Sequence, residues 1–321
     1  MGVRSQALGT TYGTYSTWSL YHVGRDAVRP RPGDRKAVST CSSMVVLVKC
    51  GHRWDCPRTF HTTEQGERRS HMGICASVNN GVCMSERKTA IVTGASGGIG
   101  SGLVEAFLNE GYNVVATSLS TKRALAPSSS LVFVDGDIAK QETAAKVIGA
   151  AIQQFETIDV LVNNAGILRT KPFTDFTTED FNAVVSVNLL GFLYITQLAV
   201  KQMLKQKSGN VVSITAALAD QPVAGINASV SMMTKGGLNT VTRSLAIEYA
   251  KEGIRFNAVA PGVVDTPLHK DVPKEALTAR QPTKAITDVI DIVEAVLYLS
   301  RASQVTGEIL HVDGGSHAGR W

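Results

Sequence analysis

The sequence predicts an α/β fold with a doubly wound parallel sheet in residues 87–321. From Arg87 onward, short apolar runs of strand length alternate with longer helical patterns. Such alternation is typical of right-handed βαβ units, whose parallel sheet is covered by helices on both faces. A glycine-rich turn joins the first strand to the first helix, and the alternation then continues without a break. We therefore predict one domain over residues 87–321.

The predicted strands are short runs of buried character, and each is followed by turn residues or a helical pattern. They cover residues 89–93, 113–117, 131–134, 158–162, 210–214, 254–259 and 308–312. The predicted helices lie between them and cover residues 98–109, 140–155, 178–205, 228–251 and 289–299. Residues 267–284 carry mixed charge and several prolines, which predicts a mobile cover near the carboxyl ends of the strands.

Residues 1–86 differ from the rest of the chain in composition. They contain 9 Arg and 2 Lys against 6 acidic residues, and they hold all 5 cysteines. We find no sustained periodicity there and predict a poorly structured extension. Three explanations stay open: a transit peptide, a small metal module, or a mis-assigned start with translation beginning at Met84. The candidate ligands of such a module match no defined zinc spacing; they are Cys50, His52, Cys56, His61 and His71.

The charge balance of residues 87–321 argues against nucleic acid as a partner. This part has 21 basic and 21 acidic residues, so the net charge of +5 comes from residues 1–86. A neutral body offers no electrostatic attraction for a polyanion. We also predict no membrane segment, because no apolar run approaches the ~20 residues that a membrane span needs. A cysteine-free body cannot form a disulfide and fits a reducing compartment.

The turn after the first strand has the composition of a phosphate-binding loop. It is the segment Thr93-Gly-Ala-Ser-Gly-Gly-Ile-Gly100. Gly94 allows the tight turn, Gly98 lets the backbone approach a pyrophosphate, and Gly100 lets the helix pack on the sheet. The amides at the helix N-terminus favour the negative charge of phosphates. A glycine loop with a strand before it and a helix after it predicts a dinucleotide cofactor.

Several further motifs follow the glycine loop in a fixed order. They are Asn163-Asn-Ala-Gly166, then Asn188, Lys235 and Pro261-Gly262. With the glycine loop, they make the chain resemble the short-chain dehydrogenase/reductase family over residues 87–315. The resemblance implies a Rossmann fold with a seven-stranded sheet, a nicotinamide cofactor and a homotetramer or homodimer. It places the dimer contact on the helices 178–205 and 228–251.

The resemblance also implies which residues hold the cofactor. Asp137 is expected at the adenine, Asn164 and Gly166 at the adenine ribose, and Lys235 at the nicotinamide ribose. Val264 and Thr266 are expected at the carboxamide. The full expected set is Gly94, Ser96, Gly98, Ile99, Gly100, Ser118, Asp137, Ile138, Asn164, Ala165, Gly166, Lys235, Pro261, Gly262, Val264 and Thr266. No metal is expected.

The end of the second strand predicts a preference for NADP(H), while NAD(H) stays possible. An acidic residue at this position binds the 2′-hydroxyl of ribose and repels a 2′-phosphate. Here the position holds Ser118, and the cations Lys122 and Arg123 follow. The arginine that often accompanies NADP inside the glycine loop is absent, because Gly97 stands there.

The catalytic set of the family is incomplete in this chain. The resemblance implies a serine, a tyrosine, a lysine and an asparagine, of which Asn188 and Lys235 are present. The tyrosine position falls on Ser231, and the serine position falls on Ala216, with Thr215 beside it. No tyrosine lies between Tyr194 and Tyr249. The sequence also resembles a bacterial-type branch of the family in which the tyrosine is commonly lacking.

A serine hydroxyl is a far weaker acid than a phenol, so another route must deliver the proton. Three routes stay open: a water bonded to Thr215, Ser231 and Lys235; Lys235 itself with a pKa lowered by burial; or a group such as Asp220 or His269. We predict an NAD(P)-dependent oxidoreductase, EC 1.1.1.-, that interconverts a carbonyl and an alcohol. The alternatives are a weakly catalytic cofactor-binding regulator and a non-redox lyase or isomerase. A cytoplasmic location is expected, or a mitochondrial one if residues 1–86 are real.

Overall fold

The computed structural model describes residues 43–50, 53–61, 87–119, 126–267 and 272–319. The chain divides into two compact units, Met1–Asn80 and Gly81–Trp321. In the first unit, β1 (Ser43–Cys50) and β2 (Arg53–His61) form an antiparallel two-stranded sheet. The sequence analysis predicted no strand here. The run Met44–Val48 is rich in valine, whose β-branched side chain favours strands, and this local signal was overlooked.

Several earlier expectations fall outside the described part of the first unit. Met84, His52 and His71 lie outside the described residues. Cys50, Cys56 and His61 belong to the two strands, but their side chains are outside the described set. The three explanations for residues 1–86 therefore stay open.

The second unit contains a parallel sheet of seven strands, as predicted. The strands are β3 (Thr89–Thr93), β4 (Asn113–Ser118), β5 (Leu131–Asp135), β6 (Val160–Asn163), β7 (Gly209–Ile214), β8 (Ile254–Pro261) and β9 (Ile309–Val312). Their order across the sheet is β5-β4-β3-β6-β7-β8-β9. The chain leaves β3 in one direction and returns on its other side at β6. Open α/β sheets bind ligands outside the carboxyl ends of the strands at such a reversal.

Helices cover both faces of the sheet. They are α1 (Gly98–Asn109), α2 (Gln141–Phe155), α3 (Thr178–Val185), α4 (Gly191–Gln206), α5 (Ser229–Tyr249), α6 (Lys274–Thr278) and α7 (Val289–Arg301). Successive residues of a strand point to opposite faces, and β3 illustrates this. Val92 packs into a core with α1 and α7, whereas Ile91 packs into a second core with α2 and α4. Two buried cores hold the carboxyl edge of the sheet in place.

The long helix predicted at 178–205 is interrupted. A π-helical turn, Ser186–Leu190, separates α3 from α4 and carries the buried Asn188. Single π turns inside α-helices are frequent at functional sites. By length and composition alone, residues 178–206 could cross a membrane. In the structure, however, Ile195, Ala199 and Met203 of α4 are buried in one of the two cores.

The cover segment contains a short helix that the sequence analysis did not predict. This helix, α6, spans only 5 residues, too few to leave a periodic pattern in the sequence. Residues 268–271 lie outside the described part of the chain, so the expectation for His269 stays a prediction. From Val272 onward the segment leads through Arg280 into α7.

Candidate functional site

The glycine loop follows β3 and adopts a conformation that larger residues would not allow. Gly94 and Gly98 have φ angles of +68° and +54°, in the left-handed region that favours glycine. A β-carbon on Gly100 would lie 2.1 Å from the Gly94 carbonyl oxygen. The loop therefore closes tightly on the first turn of α1. It leaves room at its outer side for a ligand that approaches the backbone.

The loop is fixed to the Asn163–Gly166 turn by a dense set of hydrogen bonds. The Thr93 hydroxyl accepts from the amides of Asn164 and Ala165, at 3.0 Å each. The Asn164 side-chain amide donates to the carbonyls of Thr93 at 2.9 Å and Gly94 at 3.1 Å. These bonds join the ends of β3 and β6, the strands at the chain reversal. The glycine loop and the Asn163–Gly166 turn are therefore held in a fixed position relative to each other.

Ser118, Asp137 and Ile138 lie at the same edge of the sheet, on the β4–β5 side of the glycine loop. Ser118 ends β4 and is in register with Asp135 of β5. Asp137 accepts a hydrogen bond from the Ala139 amide at 2.9 Å. Ile138 is buried, and it limits the space at Gly191 of α4. Lys122 and Arg123, the cations expected near Ser118, lie outside the described residues.

A cavity of about 1080 Å³ opens between the glycine loop and the segments after β7 and β8. Most residues expected to hold the cofactor, and three of those expected to act in catalysis, line it. They are Gly94, Ser96, Gly98, Ile99, Asn164, Ala165, Gly166, Thr215, Ser231, Lys235, Pro261, Gly262, Val264 and Thr266. The glycine loop leaves no space for a β-carbon, and the N-terminus of α1 supplies backbone amides. Both features fit the pyrophosphate of a dinucleotide.

Lys235 of α5 places its ammonium deep in this cavity. Its Nζ donates to the carbonyl oxygen of Ile214 at 2.7 Å. A β-carbon on Gly166 would lie 3.1 Å from that Nζ and 3.3 Å from Asn188 Oδ1, so glycine is needed for this approach. Burial lowers the pKa of Lys235 from 10.5 to about 8, because a low-dielectric surrounding disfavours the charged form. An ammonium with such a pKa is a better proton donor at neutral pH than an ordinary lysine.

Asn188 lies near Lys235, and its side-chain amide forms hydrogen bonds within the protein. Its Oδ1 accepts from the Ile167 amide at 2.8 Å, and its Nδ2 donates to the Ile167 carbonyl at 3.0 Å. The second Nδ2 hydrogen goes to the Thr234 hydroxyl at 2.9 Å. Both amide donors are thus used, and the side chain has no donor left for a relay water. Its role here is to position the loop after Gly166.

The Ser231 hydroxyl is also hydrogen-bonded to the backbone, so it is not free to react in the cavity. Its Oγ accepts from the Arg169 amide at 2.9 Å and donates to the Arg169 carbonyl at 3.1 Å. The only hydroxyl hydrogen is therefore used. Ser231 thus cannot give a proton to a water or a substrate without breaking this contact. The expected role of Ser231 in a water-mediated proton route is not supported by this geometry.

The loop that Ser231 and Asn188 hold has a third anchor. The Arg169 guanidinium pairs with Asp180 of α3 at 2.9 Å. A hydrogen bond from Lys171 lowers the pKa of that carboxyl group and keeps it charged. Residues 167–171 are therefore fixed at several points along one wall of the cavity.

Thr215 and Ala216 directly follow β7, where the family's serine is expected. The Thr215 hydroxyl donates to the Val259 carbonyl at 3.2 Å. It keeps lone pairs that can accept a hydrogen bond, but its hydrogen is used. Ala216 lines the cavity with a methyl group. The segment after β7 therefore offers no free hydroxyl hydrogen to a substrate oxygen.

Other proton donors considered from the sequence lie away from the cavity. No tyrosine lines it in the described part of the chain, and Tyr194 packs against the core of α2 and α4 instead. The Asp220 carboxylate accepts from Asn239 at 3.2 Å and contacts His311 at 2.9 Å. It does not line the cavity. Among the described residues, Lys235 is the titratable donor that reaches the cavity from α5.

Three residues of the site escaped the sequence analysis or were left without a role there. Thr234 and Arg169 are the contacts of Asn188 and Ser231, and no local pattern indicates pairs so distant in sequence. Arg280 belongs to the segment 267–284, for which only mixed charge was recognised, and the structure places it at the cavity wall. Within the described ranges, no group of His, Cys, Asp and Glu residues could hold a metal ion.

Comparisons with known proteins agree with this geometry. The family described as enoyl-(acyl carrier protein) reductase matches residues 94–317. Acetoacetyl-CoA reductase of Acinetobacter sp. is 36% identical over 248 residues, which cover 72% of this chain and 98% of the relative. The 3-oxoacyl-[acyl-carrier-protein] reductase of Thermotoga maritima is 31% identical over 246 residues, with coverages of 72% and 98%.

Solved structures give the same result. The 3-ketoacyl-(acyl-carrier-protein) reductase of Brucella melitensis, complexed with NADH, has a TM-score of 0.68 and 30% identity, covering 72% of this chain and 99% of its own. ElxO with NADP bound has a TM-score of 0.68 and 27% identity, with coverages of 73% and 100%. The matched region contains the glycine loop, the Asn163–Gly166 turn and Lys235. The chain therefore belongs to the short-chain dehydrogenase/reductase family of NAD(P)-dependent oxidoreductases.

Proposed function

We propose that this protein is an NADP(H)-preferring reductase of carbonyl compounds in which Lys235, rather than a tyrosine, delivers the proton. The observation that carries this proposal is the position of the Lys235 ammonium. It lies in the same cavity as the glycine loop, close to Gly166, and its pKa is lowered to about 8. The atypical, tyrosine-less site is part of the proposal.

Each residue of the site has a separate role in the proposed reaction. A nicotinamide cofactor held by the glycine loop and Lys235 would supply the hydride for the carbonyl carbon of the substrate. Lys235 donates a proton to the carbonyl oxygen as negative charge develops there, directly or through one water in the space that a tyrosine would fill. The neutral amine then regains a proton from solvent. Asn188 and Ser231 hold the loop 167–169 in place, so that orientation supplies part of the rate.

The preference for NADP(H) rests on Ser118. It ends β4, where a carboxylate would repel a 2′-phosphate. The relatives include proteins solved with NADP and with NADH, so this part of the proposal depends on the residue in this chain. A homodimer or homotetramer and a cytoplasmic location stay predictions. The names of the relatives suggest a 3-oxoacyl compound as a first substrate to try.

The first test is cofactor binding and turnover by the full-length protein. Fluorescence titration with NADPH and NADH measures affinity, and NADPH consumption with a panel of ketones and 3-oxoacyl thioesters measures activity. We expect tighter binding of NADPH than NADH, and turnover of at least one carbonyl. Binding without turnover on any carbonyl would favour a cofactor-binding regulator, whereas conversion of a substrate without cofactor oxidation would favour a lyase or isomerase.

The second test concerns Lys235. Arginine keeps a cation near the ribose, but its pKa lies far above that of lysine, so it does not donate a proton. Lys235→Arg should therefore lower kcat by roughly 100-fold or more, with the KM for NADPH changed only a few-fold. In the wild type, kcat for reduction should fall as pH rises through about 8, the pKa of Lys235. The matched control is Lys201→Arg, on an exposed position of α4. A kcat that stays level to pH 10 would contradict the proton route.

A further inference from the structure

The cavity is unusual in the charges of its wall. In the part of the chain that the structure describes, two charged side chains line it, Lys235 and Arg280, and both are cations. No carboxylate lines it among the same residues. A cavity with low-dielectric walls and one sign of charge concentrates ligands of the opposite sign. Lys235 already has a role in the proposed proton transfer, whereas Arg280 has none so far.

The backbone around Arg280 is joined to the segments that follow β8 and β9. Its carbonyl accepts from the Ser316 hydroxyl at 3.3 Å, which ties it to the turn after β9. The next residue, Gln281, is buried, and its side chain donates to the Val263 carbonyl at 3.3 Å. A β-carbon on Gly262 would lie 2.6 Å from Gln281 Oε1. Arg280 is therefore adjacent to the Pro261–Gly262 end of the cavity, where the resemblance places the nicotinamide.

The other two cations in the described part of the cover segment have different surroundings. Lys274 reaches the carboxylate of Asp265 at 3.5 Å and is 73% exposed. Lys284 is exposed and does not line the cavity. The acidic Glu275, which offsets the charge of the segment in sequence, is exposed and does not line the cavity either. The cover segment carries charges of both signs in the sequence, but of its described charged residues only Arg280 lines the cavity.

Arg280 is half-buried at the cavity wall, and no ion pair joins it to a carboxylate within the described residues. Guanidinium groups form planar, two-bond contacts with carboxylates and phosphates. The carbonyl of Arg280 is bonded to Ser316 and the next residue is anchored through its side chain, so the backbone that carries the guanidinium is held in place. Such a group is suited to recognise an anion that enters the cavity.

We propose that Arg280 binds an anionic group of the carbonyl substrate, a carboxylate or a phosphate monoester. The protein then reduces oxo acids or oxo phosphates in preference to neutral ketones and esters. This inference rests on the proposed reductase function, and it names the substrate class of that site. Arg280 acts as a specificity residue, while Lys235 keeps the role of proton donor.

The test compares matched anionic and neutral carbonyl compounds. The probes are 2-, 3- and 4-oxo acids with their methyl esters, and dihydroxyacetone phosphate with dihydroxyacetone. The wild type should show a kcat/KM for one anionic probe at least about 10-fold above that for its neutral partner. Arg280→Gln should lower the value for the anionic probe by about 10- to 100-fold and leave the neutral partner within about 3-fold. The exposed control Lys284→Gln should change neither.

The outcomes separate this inference from the proposed function. Equal rates on acid and ester, or an acid preference that survives in Arg280→Gln, would overturn the substrate class while the reductase stands. If NADPH binds and the wild type reduces nothing, the proposed function fails. Calorimetric titration of the NADP-saturated protein with the same probes then decides. Binding of an anionic probe that Arg280→Gln loses would support the anion site, and no binding by the wild type would overturn it.

Discussion

Replacing Lys235 with methionine should raise the free energy of unfolding at neutral pH. The lysine is required for the proposed chemistry, but its ammonium is held where burial disfavours charge. A methionine has a similar length and no charge to desolvate. Removal of the charge should therefore stabilise the fold while it abolishes turnover, a trade-off common at active sites.

The size of the effect follows from the pKa. Burial lowers the pKa of Lys235 from 10.5 to about 8, and each unit corresponds to about 1.36 kcal/mol. The penalty for keeping the lysine charged at pH 7 is therefore about 3 kcal/mol. Methionine also loses the hydrogen bond to the Ile214 carbonyl, which costs about 1 kcal/mol. The net gain at pH 7 is about 2 kcal/mol.

The gain should depend on pH in a defined direction. The folded pKa lies below that of the unfolded chain, so the unfolded state binds more protons between pH 8 and 10.5. The penalty is fully present below pH 8 and disappears as pH rises toward 10.5. The stability of the wild type should therefore rise relative to Lys235→Met across this range. The difference between the two proteins removes the contributions of other groups that titrate there.

The assay is urea unfolding of full-length wild type and variant at pH 7 and pH 9.5, supported by thermal scans. At pH 7 we expect a gain in Tm of roughly 4–8 °C for a domain of this size. Lys201→Met, at an exposed position of α4, is the matched control and should shift stability by less than about 0.5 kcal/mol. If Lys235→Met is less stable at pH 7 and the difference does not change with pH, the ammonium is not desolvated and the reasoning is wrong.

Further predictions concern the loops around the cofactor. Ser231→Ala should lower the free energy of unfolding in urea by about 1–3 kcal/mol, because it leaves the Arg169 amide and carbonyl unpaired. Ser231→Thr keeps the hydroxyl and should recover most of this loss. A free energy of unfolding that does not change in Ser231→Ala would contradict the contact. Ser118→Asp should weaken NADPH binding by about tenfold or more in a fluorescence titration and affect NADH less; equal effects on the two would disprove the role of Ser118. Gly100→Ala should abolish NADPH binding, because its β-carbon would lie 2.1 Å from the Gly94 oxygen; normal affinity would show that the loop adjusts.

Most of the sheet could be predicted because its strands are continuous apolar runs. The helix 98–109 was predicted with its observed bounds, since a glycine loop opens it and a Glu-Gly turn follows it. The π turn at 186–190 could not be predicted, because a π turn and an α-helix share the same local pattern of apolar residues. The strand pair β1–β2 was missed although β1 contains a valine-rich run.

The candidate site divides in the same way. Motif residues such as Gly94, Asn164 and Lys235 were found from their order along the chain, and the structure brings them to one cavity. The roles of Ser231 and Asn188 depend on contacts with residues 62 and 21 positions away. Contacts at such separation are created by the fold and leave no mark on the local sequence. The same holds for Arg280, whose position at the wall depends on its neighbours in the folded chain.

The contact between Ser231 and Arg169 bears on how this site can change over time. A phenol at position 231 would remove a hydroxyl that both accepts from and donates to the loop backbone. The first step toward a tyrosine enzyme would therefore lose stability before it gained a proton donor. Because contacting residues have coupled effects, a second substitution in the loop would have to accompany it. A single substitution to tyrosine at position 231 should therefore destabilise the protein, for natural selection and for protein engineering alike.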